Sequence, residues 1–195
     1  MIFLLVIIIA IIISSFLGVY AGGALFNFTT GEAMRIVTNC FLLIIALNAI
    51  SCIIIELLPK KIFNPFGKLG KSFKWERKFY EKIGIRKWKD KIPEVGKYFR
   101  FSKSVLIDKS DNEYILAFIR ETICGEIIHF VGFLLGFIII FVNIKSWFLI
   151  ALPMIIANTI INIMPVMIQR YNRPKLLLLY QRNLKQKGTQ NNKEN

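Results

Sequence analysis

Long uncharged runs alternate with strongly basic stretches along the chain, and the lengths of the apolar runs predict membrane-crossing helices. Ile2–Tyr20 carries no charged side chain, and at 1.5 Å per residue it is long enough to cross about 30 Å of hydrocarbon. A segment with three glycines, Ala21–Arg35, leads into a second apolar run, Ile36–Leu58, which ends around Glu56 and Pro59. A third begins near Ile115 but contains Arg120, Glu121, Glu126 and His129 before the uninterrupted stretch Phe130–Val142. That stretch is too short to span alone, so a crossing helix must include the turns that hold Glu126 and His129. After the connector Asn143–Ser146, Trp147–Ile168 supplies a fourth run. The expected fold is all-α: a multi-span helical membrane protein of about four transmembrane helices. A cleaved signal peptide competes for the first run, because Val19-Tyr20-Ala21 resembles a cleavage site, but the positively charged start is missing.

Charge divides what hydropathy leaves undivided. Residues 59–112 hold sixteen Lys/Arg against six Asp/Glu, and the tail 169–195 holds seven against Glu194 alone. Basic residues beside membrane helices mark the cytoplasmic side. An even number of spans then puts both basic blocks and both termini inside the cell membrane, leaving Arg35 and Lys145 as the basic residues outside. Four segments follow: 1–58, an N-terminal transmembrane hairpin; 59–112, a basic cytoplasmic or interfacial loop; 113–168, helices three and four; and 169–195, a basic cytoplasmic tail. Hydrophobic residues make up 55% of the chain and the net charge is +14. The first figure argues against a water-soluble domain. With spans adjacent, the second favours the anionic lipid bilayer over nucleic acid as partner.

Candidate chemistry concentrates in Glu121-Thr-Ile-Cys-Gly-Glu126-Ile-Ile-His129. Glu126 and His129 share a helical face, and Glu121 lies toward the cytosol. Ionisable groups within a span are costly and mark bundle interiors, pathways or sites. If twenty residues ending at Val142 cross the core, His129 sits about 9 Å below the cytoplasmic boundary. The tight hairpin between helices three and four sets His129 level with Ile160, between Asn158 and Asn162, and sets Glu121 beside Gln169 and Arg170. A polar cluster of His129, Glu126, Asn158 and Asn162, closed by Glu121 and Arg170, is expected. Two readings of it stand. In one, His129 is a general base on a hydroxyl, oriented by Glu126, with an Asn or Arg steadying an oxyanion. In the other, the cluster is a polar seam joining two helices. Glu-x-x-His also occurs in carboxylate-bridged metal bundles, but the second copy that motif needs is missing, so no metal and no bound cofactor is expected. The single histidine excludes multi-histidine centres, and the apolar surroundings of Cys40, Cys52 and Cys124 mark them as packing residues.

Two further stretches carry charge in patterns. From Trp75-Glu76-Arg77-Lys78-Phe79-Tyr80 through Ile85-Arg86-Lys87-Trp88-Lys89-Asp90-Lys91-Ile92-Pro93-Glu94, aromatics alternate with cations. This is either a basic amphipathic segment lying on anionic lipid, or a docking surface for the phosphates or acidic carrier of an activated donor. Gln169-Arg170-Tyr171-Asn172-Arg173-Pro174 follows the fourth run. Its charges serve as a stop signal; in addition, Pro174 disfavours helical geometry at Arg173, which predicts a break that turns Arg170, Asn172 and Arg173 back toward the cluster.

At these stretches the sequence resembles the glycosyl-4,4'-diaponeurosporenoate acyltransferases of carotenoid pigment synthesis. The likeness lies in Lys71-Ser-Phe-Lys-Trp-Glu76, Arg86-Lys-Trp-Lys-Asp-Lys91, Glu121…Glu126-Ile-Ile-His129 and Gln169-Arg-Tyr-Asn-Arg-Pro174, and runs in the same order from about Asn64 to Gly188. The resemblance implies transfer of a fatty acyl group, from acyl-CoA or acyl-carrier protein, to the sugar hydroxyl of a glycosylated carotenoid acid, as in staphyloxanthin-type pigments. Glu76, Arg86, Lys87, Trp88, Lys89, Glu121, Glu126, His129, Gln169, Arg170, Asn172 and Arg173 carry over as candidates: His129, Glu126 and Glu121 for catalysis, and the rest, with Asn158 and Asn162, for substrate. The chain departs from the family pattern at its start, where a hairpin replaces a single anchor. An acyltransferase acting on a different glycolipid, and a non-catalytic scaffold of a lipid or pigment pathway, are the alternatives.

Overall fold

The computed structural model describes residues 2–92 and 108–194, with side chains through 186; the stretch of the basic loop at 93–107 lies outside the described residues. The fold is all-helical. In chain order it comprises α1 (Ile2–Phe26), α2 (Thr30–Glu56), α3 (Lys74–Lys82), α4 (Ile85–Trp88), α5 (Asn112–Leu135) and α6 (Trp147–Glu194), with a 3-10 continuation of α5 over Gly136–Val142. Among the described residues, four helices are long and apolar enough to cross a membrane: Ile2–Phe26, Thr30–Glu56, Asn112–Val142 and Trp147–Gln186.

The first turn is tighter than hydropathy implied. Only Asn27–Thr29 separates α1 from α2, with Asn27 in the left-handed region at φ 56°. The helix starts at Thr30 rather than at the apolar run because Thr29 and Glu32 form a reciprocal cap. Thr29 Oγ1 accepts the Glu32 N–H at 3.2 Å, and Glu32 Oε2 accepts the Thr29 N–H at 2.9 Å. Residues 30–35, charged Glu32 and Arg35 included, thereby join the helix.

The chain divides into two compact units. One comprises Met1–Leu57 and Ile128–Pro165. In it, α1 buries a stripe at four-residue spacing, Ala10, Ser14, Gly18 and Gly22. Small side chains let helix backbones approach closely, and Ser14 Oγ donates to Ile150 O at 2.9 Å. The core is Val37, Cys40, Ile139, Leu149, Ile150, Ala151, Met154 and Ile155, while Leu4, Leu5, Ile12 and Phe16 of α1 face outward, as lipid-facing residues do. The 3-10 segment rises about 2.0 Å per residue instead of 1.5 Å, adding about 3.5 Å to the α5 side of the hairpin. Level positions on α6 therefore shift about two residues beyond those given by equal rise.

The other unit comprises Leu58–Ile127 and Val166–Asn195. Here α6 runs unbroken through Pro174, which corrects the expected break at Arg173. Proline removes the N–H that would bond the carbonyl four residues earlier; that carbonyl, Arg170 O, accepts from Ser72 Oγ at 3.4 Å instead. Arg170, Asn172 and Arg173 consequently stay in helical register.

Candidate functional site

The first unit holds an amide network around the lone histidine. Asn48 Nδ2 on α2 donates to Ile44 O at 2.9 Å, and Asn158 Nδ2 on α6 donates to Gly132 O at 3.0 Å. Backbone carbonyls only accept, so these two bonds fix which way both amides face. Their Oδ1 atoms are left to accept from Asn162 Nδ2, at 3.2 Å for Asn48 and 3.0 Å for Asn158. Asn48 Nδ2 also reaches Asn158 Oδ1, at 3.0 Å. With its nitrogen committed, Asn162 presents Oδ1 to His129 Nδ1 at 3.1 Å. The ring must therefore carry its proton on Nδ1, which leaves the Nε2 lone pair as the basic site. Two glycines make room for this: a Cβ on Gly132 would overlap Asn48 Oδ1, and one on Gly136 would overlap Asn158 Nδ2.

The second unit holds a charged network. Arg170 clasps Glu76 through Nε and Nη2, at 2.9 and 2.5 Å, and reaches Glu126 Oε1 through Nη1 at 2.5 Å. Arg173, with 0% exposure, donates to Glu126 Oε2 at 2.5 Å, to Thr122 Oγ1 and O at 3.0 Å each, and to Leu69 O at 3.2 Å. Glu76, 3% exposed, also accepts the Phe73 N–H at the start of α3, at 3.2 Å, and the Tyr80 hydroxyl at 3.5 Å. Burial, and then the Glu76 charge, push the Tyr80 phenol up to about 12. Each of the two carboxylates faces a guanidinium, the arrangement that makes buried charge tolerable.

The expected single cluster is thus built as two sets of partners. Asn162 bonds His129 directly and Asn158 does so through Asn162, as the hairpin arithmetic indicated once its 3-10 rise is included. Glu126 does not serve as the orienting partner of the ring: its two oxygens go to Arg170 and Arg173, and Asn162 takes the orienting position. Glu121 pairs with Lys60 at 3.2 Å instead of meeting Arg170, whose guanidinium is held by Glu76 and Glu126. Gln169 lies over Gly125, and Asn172 is half-buried.

In the basic loop, Arg86 donates to Tyr171 Oη at 3.0 Å and to Glu81 at 2.6 Å. Trp88 Nε1 donates to Ile83 O at 3.3 Å, Lys89 pairs with Asp90 at 3.3 Å, and Lys87 is exposed. The Arg86 hydrogen bond holds the Glu81 carboxyl below its ordinary range. Asn48 was missed by reading the hairpin alone. Its signal was an amide within an apolar run, but pairing it required the packing of α2. Thr122 and Ser72 gave no signal, since a buried arginine and a proline-orphaned carbonyl are visible only in three dimensions.

Comparison with curated proteins and with solved structures returned no match. The family model described as glycosyl-4,4'-diaponeurosporenoate acyltransferase matches residues 59–182, a stretch that holds His129, Asn158, Asn162 and the whole charged network, but not Asn48. Since the match covers well over half of the 195 residues, the chain belongs to the glycosyl-4,4'-diaponeurosporenoate acyltransferase family, enzymes of carotenoid pigment synthesis.

Proposed function

We propose that this enzyme sits in the cell membrane with both termini in the cytoplasm. There it moves a fatty acyl group from a thioester donor, acyl-CoA or acyl-carrier protein, onto a sugar hydroxyl of a glycosylated carotenoid acid, with His129 as general base. The observation that carries this reading is the Asn162 Oδ1 bond to His129 Nδ1 at 3.1 Å. It orients the ring and leaves Nε2 unprotonated for work. In the step proposed, Nε2 takes the hydroxyl proton while the oxygen attacks the thioester carbonyl. The C–S bond then breaks, and the thiolate leaves with the proton returned from the imidazolium, giving an ester and a free thiol. Glu126 is a positioning residue that holds Arg170 and Arg173. Arg86, Lys87 and Lys89 supply the positive charge a donor's phosphates or acidic carrier requires, and the exposed Lys87 is the most accessible of them.

The test uses full-length protein in nanodiscs, given glycosylated carotenoid extract and labelled palmitoyl-CoA or palmitoyl-carrier protein, with ester product followed by mass spectrometry. His129→Ala is expected to lower turnover by about 10²–10⁴-fold while membrane protein level holds. Undiminished product from His129→Ala would remove the base. If, in addition, reversing charge at Arg86, Lys87 and Lys89 released a bound protein, the scaffold reading would replace it. Acylation of another glycolipid in preference to the carotenoid glycoside would change the acceptor and keep the mechanism.

A further inference from the structure

The outward face of α3 remains after the network has claimed its inward face. Glu76 and Tyr80, one turn apart, are buried. Beside them Trp75 and Phe79, also one turn apart, are 61% and 45% exposed, and Phe73 at the helix start is 65% exposed. These three rings are contiguous: Phe73 stacks on Trp75 at 6.3 Å between centroids, and Trp75 meets Phe79 edge-on at 6.0 Å. Large apolar side chains grouped in this way on a soluble surface mark a binding face. Flanking them is a row of exposed lysines at four-residue spacing, Lys74, Lys78 and Lys82. Over residues 59–92 as a whole, twelve Lys/Arg face three acids, Glu76, Glu81 and Asp90, and Glu76 is already neutralised by Arg170.

The height of this face is set by its anchors. Glu76 is clasped by Arg170, Ser72 bonds Arg170 O, and Arg86 bonds Tyr171. All three ties reach the first turn of α6 beyond the uncharged run Trp147–Ile168, a run of about 33 Å of helix, which matches the hydrocarbon thickness. α3 is therefore pinned at the level where acyl chains give way to headgroups, the depth at which Trp is enriched. Aromatic rings beside a lysine row suit an anionic lipid surface, with each lysine contributing on the order of 1 kcal/mol of attraction.

We infer that Phe73, Trp75 and Phe79, with Lys74, Lys78 and Lys82, form a docking surface for the anionic headgroup layer of the bilayer in which the enzyme's own helices stand. This goes beyond the acyl-transfer reading and does not depend on the role of His129. Its consequence is that α3 is held from two directions, by the arginine clasp and by lipid.

The experiment reads Trp75 alone, in full-length protein carrying Trp88→Phe and Trp147→Phe, reconstituted in nanodiscs of phosphatidylcholine with or without phosphatidylglycerol. With anionic lipid present, Trp75 emission is expected to shift to the blue, to be quenched by lipids brominated near the headgroup, and to lose its quenching by aqueous acrylamide; high salt reverses the protection. Persistent acrylamide quenching with no response to brominated lipid overturns the inference. So does protection that appears only on adding an acidic acyl-carrier protein. Should the double variant fail to reconstitute, benzophenone-phenylalanine at position 79 in the otherwise native chain decides: crosslinks to lipid support the surface, and their absence, or crosslinks to protein, overturns it.

Discussion

The amide network and the charged network solve the problem of buried polarity with opposite chemistry. In the unit formed by Met1–Leu57 and Ile128–Pro165 the members are neutral, three asparagines and an imidazole, and backbone carbonyls fix their directions. In the unit formed by Leu58–Ile127 and Val166–Asn195 they are two carboxylates and two guanidiniums that neutralise one another. An amide network that loses one member forfeits hydrogen bonds worth about 1 kcal/mol each. A charged network that loses one member leaves a buried ion without its counter-charge, which is several times more costly. Neutral amides can therefore surround the imidazole proposed as the base and let its partners change, whereas the charged set is suited to holding backbone elements in place.

The largest expected effect breaks the charged side of this comparison. Glu126→Ala takes the counter-charge from Arg173, which is fully buried, and one of two carboxylates from Arg170. It should destabilise the protein by about 3–5 kcal/mol, seen as a lowered midpoint of denaturant unfolding in mixed micelles and a fall in membrane-inserted protein. If Glu126→Ala unfolds at the same midpoint as the native chain, the network is not what holds the second unit.

A smaller loss is expected on the neutral side, from added volume. In Gly136→Ala the new Cβ meets Asn158 Nδ2, and overpacking of this kind costs about 1–3 kcal/mol. Because Asn158 Oδ1 supports Asn162, and Asn162 orients His129, acylation should fall further than the stability loss explains. Turnover that merely tracks the folded fraction would uncouple the amides from the base.

The neutral cluster was largely legible in the sequence and the charged one was not, for a geometric reason. His129, Asn158 and Asn162 lie on the two arms of a hairpin whose turn, Asn143–Ser146, is short and unambiguous, so helix rise alone brings them level. The remaining error of about two residues came from the 3-10 stretch Gly136–Val142, which an apolar run does not reveal. Glu76 reaches Arg170 across 94 positions, and no local period encodes that pairing. The shared face of Glu126 and His129, three residues apart, points to a pair, but two guanidiniums offer a carboxylate stronger, charge-assisted bonds than a neutral ring does. Pro174 misled in the same way. The local rule for proline is sound, but the orphaned Arg170 carbonyl finds a substitute donor in Ser72, ninety-eight positions away.

That substitute donor gives the next prediction. Ser72→Ala returns Arg170 O to the unpaired state that proline creates. The expected cost is about 1 kcal/mol, accompanied by faster amide exchange in α6 next to Pro174. Ser72→Thr should restore both. An unchanged exchange pattern in Ser72→Ala would mean that the helix tolerates Pro174 without help.

The smallest effect, a change in stability that emerges only in alkali, separates the clusters by titration. The Tyr80 phenol is pushed up to about 12 in the folded protein, first by burial and then by Glu76, against about 10 when unfolded. Because the folded-state value is the higher one, the stabilisation is fully present below pH 10 and is lost as pH rises from there through 12, since the unfolded chain releases this proton first. Unfolding of the native chain in micelles, followed between pH 8 and 11.5, should show a decline in stability that is shallower in Tyr80→Phe. Amides do not ionise in this window, so Asn158→Ala should lower the curve without altering its slope. If Tyr80→Phe keeps the full alkaline slope, the phenol is not held neutral beside Glu76, and the second cluster's sensitivity to charge must reside elsewhere.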